Sequence, residues 1–201
     1  RTSKGDSPLS RLFYFLRARY VYWRGHAVQI PQNEVNSIPI IVNNYNRVST
    51  LRSLLKTLED SGCRNIHIID NNSTYPPLLA FYDKCPYTLY RLRHNVGYKA
   101  LWKTHLFKKF RHSYYVYTDS DVVLDDSCPT DFMQRLYGLL GKYKYASKVG
   151  LGIRTDDLPD AYAQKERVIE HERQCVREEV EPGVFRAVLD TTFAMYRPWA
   201  T

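Results

Sequence analysis

Four cysteines in 201 residues, Cys63, Cys85, Cys128 and Cys175, stand far apart and form no CxxC or Cys/His spacing. Such scatter argues against a zinc site and against a disulfide framework, so free thiols in a reducing compartment are expected. Long apolar runs are also lacking, and nothing approaches the roughly 18 residues of a spanning helix. The longest piece near the start, LFYFL from Leu12 to Leu16, is soon interrupted by arginine and is too short and too basic in its surroundings for a signal peptide. The expectation is a cytoplasmic protein, at most peripheral on the inner face of the membrane. Low-complexity tracts and internal repeats are missing as well. With 44% hydrophobic and 25% charged residues, the chain is expected to build one sizeable core.

Acid is missing from one long stretch. Between Cys85 and Thr118 there is no Asp or Glu, while Arg91, Arg93, Lys99, Lys103, Lys108, Lys109 and Arg111 are present. Residues 1–26 carry Arg1, Lys4, Arg11, Arg17, Arg19 and Arg24 against the single acid Asp6, and the whole chain has a formal charge of +8. Fields of this sign favour phosphate-rich partners such as nucleotides, nucleic acid or an anionic membrane surface. A nucleic-acid-binding module is the reading from another class, but no RNP-like, KH or zinc-finger pattern supports it, and no nucleic-acid partner is expected. A metal-dependent nucleotidyltransferase would more often show a glycine-rich phosphate loop or further acidic ligands, and neither is clear.

Residues 1–37 form a first unit. SRLFYFLRARYVYWRG mixes arginine with Leu, Phe, Tyr and Trp in a pattern compatible with an amphipathic helix. Such a helix suits a membrane surface, or it packs its apolar stripe on the body or on another subunit. The polar segment from Gln29 to Ser37 reads as a linker. Residues 38–201 then alternate strand-like and helix-like segments. IPIIV (38–42), NIHIID (65–70), YTLYRLR (87–93), YYVYT (114–118) and KVGLGIR (148–154) are strand-like, and RAVLDTTFAMYR (186–197) is extended. Helices are expected from Ser49 to a stop at Gly62, in LLAFYDK, over roughly 98–111, from Pro129, and along the charged run DAYAQKERVIEHERQCVREE. This alternation predicts an α/β fold on a mainly parallel sheet.

In open α/β sheets ligands bind beyond the carboxyl ends of the strands. The residues that follow each strand are therefore the candidates: Asn43, Asn44, Asn46 and Arg47 after the first, Asp70, Asn71 and Asn72 after the second, Asn95 and Gly97 after the third. Asp119, Ser120 and Asp121 follow the fourth. A hard divalent ion takes oxygen ligands and shares them between protein carboxylates and substrate phosphates. Two aspartates one residue apart on a turn leaving a strand fit that need. Glu170–Glu172 and Glu179–Glu181 share the spacing but sit in a helix pattern, where residues two apart do not face each other. His67 and Trp102 read as structural. Asp190 is a carboxylate in an otherwise apolar run, either a site group or a satisfied buried acid.

Taken in order, IPIIVNNYNR, IHIIDNNSTYPP, RHNVGYKALW, VYTDSDVV and LDTTFAMYRP resemble nucleotide-sugar-dependent glycosyltransferases of the GT-A fold, family 2-like, of the bacterial polysaccharide or lipopolysaccharide type. The resemblance covers roughly residues 38–198. It implies a Rossmann-like three-layer α/β/α sandwich and a metal-dependent enzyme moving a sugar from a nucleoside-diphosphate donor to a glycan or glycolipid acceptor. Asn43, Asn44, Asn46, Arg47, Asp70 and Asn72 would hold base and ribose, Asn95 and Gly97 would line the nucleotide pocket, and Lys99 and Ser120 would assist at the donor. Asp119 and Asp121 would hold Mn²⁺ or Mg²⁺. An inverting member needs a carboxylate base, and in this family it usually lies downstream of the segment matching TTFAMYR. Asp190, Asp156 and Asp157 are the acids left near the acceptor side, and the expectation is that the true base lies beyond Thr201.

Overall fold

The computed structural model describes residues 8–125, 127–189 and 192–201. Six strands form one sheet in the order β3-β2-β1-β4-β8-β5. They are β1 (Ile40–Asn44), β2 (Ile66–Asp70), β3 (Thr88–Arg91), β4 (Tyr115–Asp119), β5 (Lys148–Gly150) and β8 (Ala194–Tyr196). The pairs β1–β2, β2–β3 and β1–β4 are parallel, and β8 runs antiparallel to both β4 and β5. The mainly parallel α/β sandwich expected from the alternation is the fold observed.

Successive strand side chains divide between two cores, as a period of two requires. Ile40, Val42, Ile66, Ile68, Val116 and Met195 face one layer. Ile41, Ile69, Tyr115, Tyr117, Ala194 and Tyr196 face the other. Because both faces are covered, the strands read as continuous apolar runs rather than alternating ones. The first layer holds helices α2 (Ser49–Asp60), α3 (Pro76–Tyr82) and α6 (Phe132–Lys142). In α2 the leucines at 51, 54, 55 and 58 form a buried stripe, each contributing about 1.5–3 kcal/mol. Gly62, at φ 81°, stops the helix: its N–H bonds the Glu59 carbonyl and the Cys63 N–H bonds Leu58. Burial at that turn pushes the Cys63 thiol up to about 11, so it is a packed, unreactive side chain.

The second layer departs from the single helix expected over 98–111. Two short turns form instead, α4 (Ala100–Lys103) and α5 (Phe107–Phe110). Thr104 between them is extended at φ −118°, ψ 168°, and its hydroxyl bonds back to the Ala100 and Leu101 carbonyls. A β-branched residue with a hydroxyl competes with the helical backbone in this way. Trp102 packs 4.5 Å from Tyr117, ring centre to ring centre, and donates to the Tyr115 hydroxyl, the structural role expected of it.

Three further boundaries differ. The charged run is helical only as α7 (Lys165–Cys175); Val176–Glu181 becomes β6, paired with β7 (Val184–Ala187) around Gly183 at φ 76°. The Pro182–Gly183 turn and the valines at 176 and 180 favour a hairpin over the helix that the charges suggested. Helix α6 begins at Phe132 rather than Pro129. The presumed linker is folded: Gln32–Ser37 is a 3₁₀ turn with Val35 wholly buried, and Asn36 donates to the Ser61 carbonyl.

Helix α1 (Pro8–Gly25) lies on the second layer through its last turns. Val21 is buried, Tyr22 packs edge-on to Tyr145, Gly25 abuts Pro198, and Arg24 stacks over Trp199. Its first turns are not a one-sided stripe. Leu12, Phe13, Tyr14, Phe15 and Leu16 are consecutive, and each is more than half exposed. Consecutive positions sweep the whole helix circumference, so the apolar surface here goes all the way round.

Candidate active site

The carboxyl ends of β1, β2 and β4 lie side by side, and their register aligns the polar residues. Asn43 is the cross-strand partner of Asp119, Asn44 of Asp70, and Asp70 of Arg91. The Asn43 amide donates to Asp119 Oδ1 at 3.1 Å. Asp70, fully buried, accepts from the Ser73 N–H and the Tyr82 hydroxyl and lies 3.5 Å from Arg91 Nε. Tyr82 in turn accepts from the Asn44 amide at 2.7 Å. A buried carboxylate held by one cation and two donors is satisfied in place.

Asn71 ties three segments together. Its amide nitrogen donates to Asn43 Oδ1 at 3.2 Å and to the Gly97 carbonyl at 2.9 Å, and its oxygen accepts from the Val96 N–H at 2.8 Å. The loop after β3 is thereby fastened beside β1. Gly97 adopts φ 84°, a conformation that favours glycine, and its N–H is bonded by Asn95 Oδ1. Lys103 reaches the Val96 carbonyl at 2.8 Å, while Lys99 stacks over Tyr98. Asn46, at φ 53°, accepts from the Thr74 and Tyr75 N–H groups and so joins the turn after β1 to the start of α3. Asn72 is exposed at the rim, and Ser120 is buried with its N–H on the Asn43 carbonyl.

Asp119 and Asp121 both line a cavity of about 690 Å³. Asp119 is half-buried; Asp121 is exposed and paired with Arg47. Among the described residues no three His, Cys, Asp or Glu side chains gather into a metal-ligating group. A two-carboxylate donor set of hard oxygens at a cavity mouth still fits an ion that takes its remaining ligands from phosphate and water. Beyond the two aspartates the cavity wall is largely apolar, with Leu151 and Ile153 after β5, Ile169 on α7, and Phe185 and Val188 from the hairpin side.

The strand-end argument thus brings together Asn43, Asn44, Asp70, Asp119 and Ser120 in one bonded cluster, with Arg47 and Asp121 paired beside it. Asn95 and Gly97 join through Asn71, a strand-end candidate whose bridging role depends on where the loop after β3 comes to rest. Tyr82 and Arg91 were missed, since nothing in sequence links either to Asp70. Of the acids named for proton transfer, Asp190 lies outside the described residues. Asp156 is held by Arg154, whose hydrogen bond draws its carboxyl below the usual range. Asp157 lines an adjoining cavity that shares Asp121.

No family model and no curated protein matches the chain. Two crystal structures of S. aureus TarS are similar to it, both at 15% identity over 81% of this chain. One, of residues 1–349, has a TM-score of 0.50 and is covered over 47% of its length; the other has 0.51 and is covered over 28%. The chain therefore spans less than half of either structure. The likeness shows the fold, a Rossmann-like α/β sandwich of GT-A type.

Proposed function

We propose that the protein is a glycosyltransferase that takes a sugar from a nucleoside-diphosphate donor held at the carboxyl ends of β1, β2 and β4. The observation that carries this reading is the aligned row Asn43–Asp119 and Asn44–Asp70–Arg91, with Arg47–Asp121 at its edge. The shared fold with TarS, a GT-A-like glycosyltransferase, supports it. Asn43, Asn44 and the Asp70 cluster shape the floor on which base and ribose would rest. Gly97 lets the backbone of its loop approach without a side chain, and Arg47 and Lys99 are the cations within reach of the diphosphate edge. Asp119 and Asp121 would hold Mn²⁺ or Mg²⁺, which when bound stabilises the charge that builds on the departing phosphate oxygen. The acceptor is proposed to be a hydroxyl of a glycan or glycolipid, in cell-surface polysaccharide synthesis, with inversion at the anomeric carbon.

Contact of α1 with an anionic membrane surface is part of the same proposal. The unburied aromatic and aliphatic turns need a cover, and the excess of base over acid in residues 1–26 complements anionic lipid. Arg17, Arg19 and Arg24 stand at the junction of helix and body, against Thr201, Tyr145 and Trp199, at the height where headgroups would meet an immersed helix.

Thermal-shift screening of UDP, GDP and dTDP and their sugars, with and without Mn²⁺, tests the donor site. At least one compound raises the melting temperature in a metal-dependent way, and Asp121→Ala removes the effect. No shift with any nucleotide refutes the reading.

A further inference from the structure

The proton acceptor is the missing part of the site, and the cavity beside Asp119 and Asp121 contains a carboxylate suited to it. On α7 the partly buried positions are Lys165, Val168, Ile169, Glu172 and Cys175, a spacing of three and four that marks the face turned toward the body. Glu166 and Glu170 fall on the exposed side, and Glu170 bonds Gln174. Glu172 alone puts an acid on the inward face. Its residue lines the same cavity as Asp119 and Asp121, together with Leu151, Ile169 and Phe185.

Partners separate this acid from Asp125, Asp156 and Glu181, while Asp157 is exposed and lines the adjoining cavity. Asp125 and Asp156 are both paired with Arg154, and Glu181 with Lys142 and Tyr143. Among the described residues the Glu172 carboxylate makes no hydrogen bond and no ion pair, while its backbone carbonyl caps the helix by accepting from Val176. A carboxylate without a partner, in a cavity shared with the two aspartates and lined also by His171, Arg173 and a largely apolar wall, is placed to take a proton rather than to hold the fold.

We propose that Glu172 is the general base of transfer, an assignment that rests on the glycosyltransferase reading above. An acceptor hydroxyl entering the cavity gives its proton to a Glu172 carboxylate oxygen as its own oxygen bonds the anomeric carbon. The bond from that carbon to the diphosphate breaks, and its electron pair leaves on the phosphate oxygen. The proton on Glu172 passes to solvent after the product departs. The apolar walls also suit an acceptor that carries apolar surface next to its reacting hydroxyl.

Release of nucleoside diphosphate from UDP-, GDP- and dTDP-sugars, with water as the acceptor, tests the assignment in the whole chain. Glu172→Gln is expected to lower release by about 10²-fold or more. It should leave unchanged the nucleotide-dependent thermal shift and the melting temperature without ligand. Glu170→Gln, two positions away on the exposed side of the same helix, keeps the wild-type rate. Release undiminished in Glu172→Gln overturns the proposal, as does an equal loss in Asp157→Asn or Asp190→Asn with Glu172→Gln active. A wild-type protein that binds nucleotide but releases none from any donor also overturns it and leaves the donor site standing. Loss of the thermal shift itself refutes the donor reading instead.

Discussion

Asn71 shows how one side chain sets the geometry of a site by joining three segments. With all but 1% of its surface covered, it holds Asn43, Val96 and Gly97 through three hydrogen bonds. Asn71→Ala leaves the half-buried Gly97 carbonyl, the half-buried Val96 N–H and the Asn43 amide oxygen short of partners. A loss of about 2–3 kcal/mol in urea unfolding is expected, together with a weaker nucleotide-dependent thermal shift. Asn71→Asp should weaken the site as well, because a carboxylate cannot donate to Gly97 or Asn43. Asp70, Asp119 and their asparagine neighbours were legible in the sequence, because a buried parallel strand that ends abruptly in polar residues exposes its own carboxyl end. Asn71 was a candidate by its position alone, and its bridging role, like the part of Tyr82, was not readable, since each acts across a turn whose course only the folded chain fixes. Glu172 was hidden for a related reason: in a run dense with charge, the inward face of a helix is set by what packs against it.

At the scale of elements, β8 decides where the cavity opens. It enters between β4 and β5 against the direction of both, and its fit to β5 is tight at Gly150. A methyl group there would meet the Phe193 carbonyl oxygen at 2.9 Å and the Ala194 side chain at 3.0 Å. Gly150→Ala must therefore push β5 away from its partner, at a cost of about 1–3 kcal/mol in thermal or denaturant unfolding. The damage falls on the segment carrying Leu151 and Ile153 into the cavity, while β1 and β2 lie on the far side of β4. Nucleotide binding should accordingly outlast transfer in this variant. Helix α2 was readable because four leucines, a serine start and a glycine stop agree. The stretch over 98–111 misled because its apolar spacing is helical, yet Thr104 bonds its own preceding turn and breaks the run. The segment after Cys175 misled because charge outweighed the valines and the turn that follow.

For the molecule as a whole, the exposed turns of α1 dominate the surface. Among the described residues no helix is long and apolar enough to cross a membrane. The protein is expected to co-sediment with vesicles containing phosphatidylserine or phosphatidylglycerol, and less with neutral phosphatidylcholine vesicles. Replacing Leu12, Phe13 and Phe15 by serine should abolish sedimentation and leave the melting temperature within about 1 °C, since these side chains are more than half exposed. Concentration-dependent dimerisation that the same substitutions remove, with no vesicle binding, would assign this face to a second copy instead.

The seat of α1 has a consequence for how the chain comes into being. Its contacts are with Tyr145 and with Pro198, Trp199, Ala200 and Thr201, residues synthesised long after it. At about 5–20 residues per second a ribosome takes on the order of ten to thirty seconds to supply them. For all that interval the helix carrying the exposed run Leu12 to Leu16 has emerged without its resting place, and β5, once made, awaits the strand that joins it to the sheet. Parallel pairing of β1, β2 and β3 needs only residues 40–91, so folding on the ribosome begins there, and α1 finds its seat only once residues 197–201 have emerged. A nascent chain with this order of events presents its aromatic helix to chaperones, or to a bilayer, before its six-stranded sheet is complete.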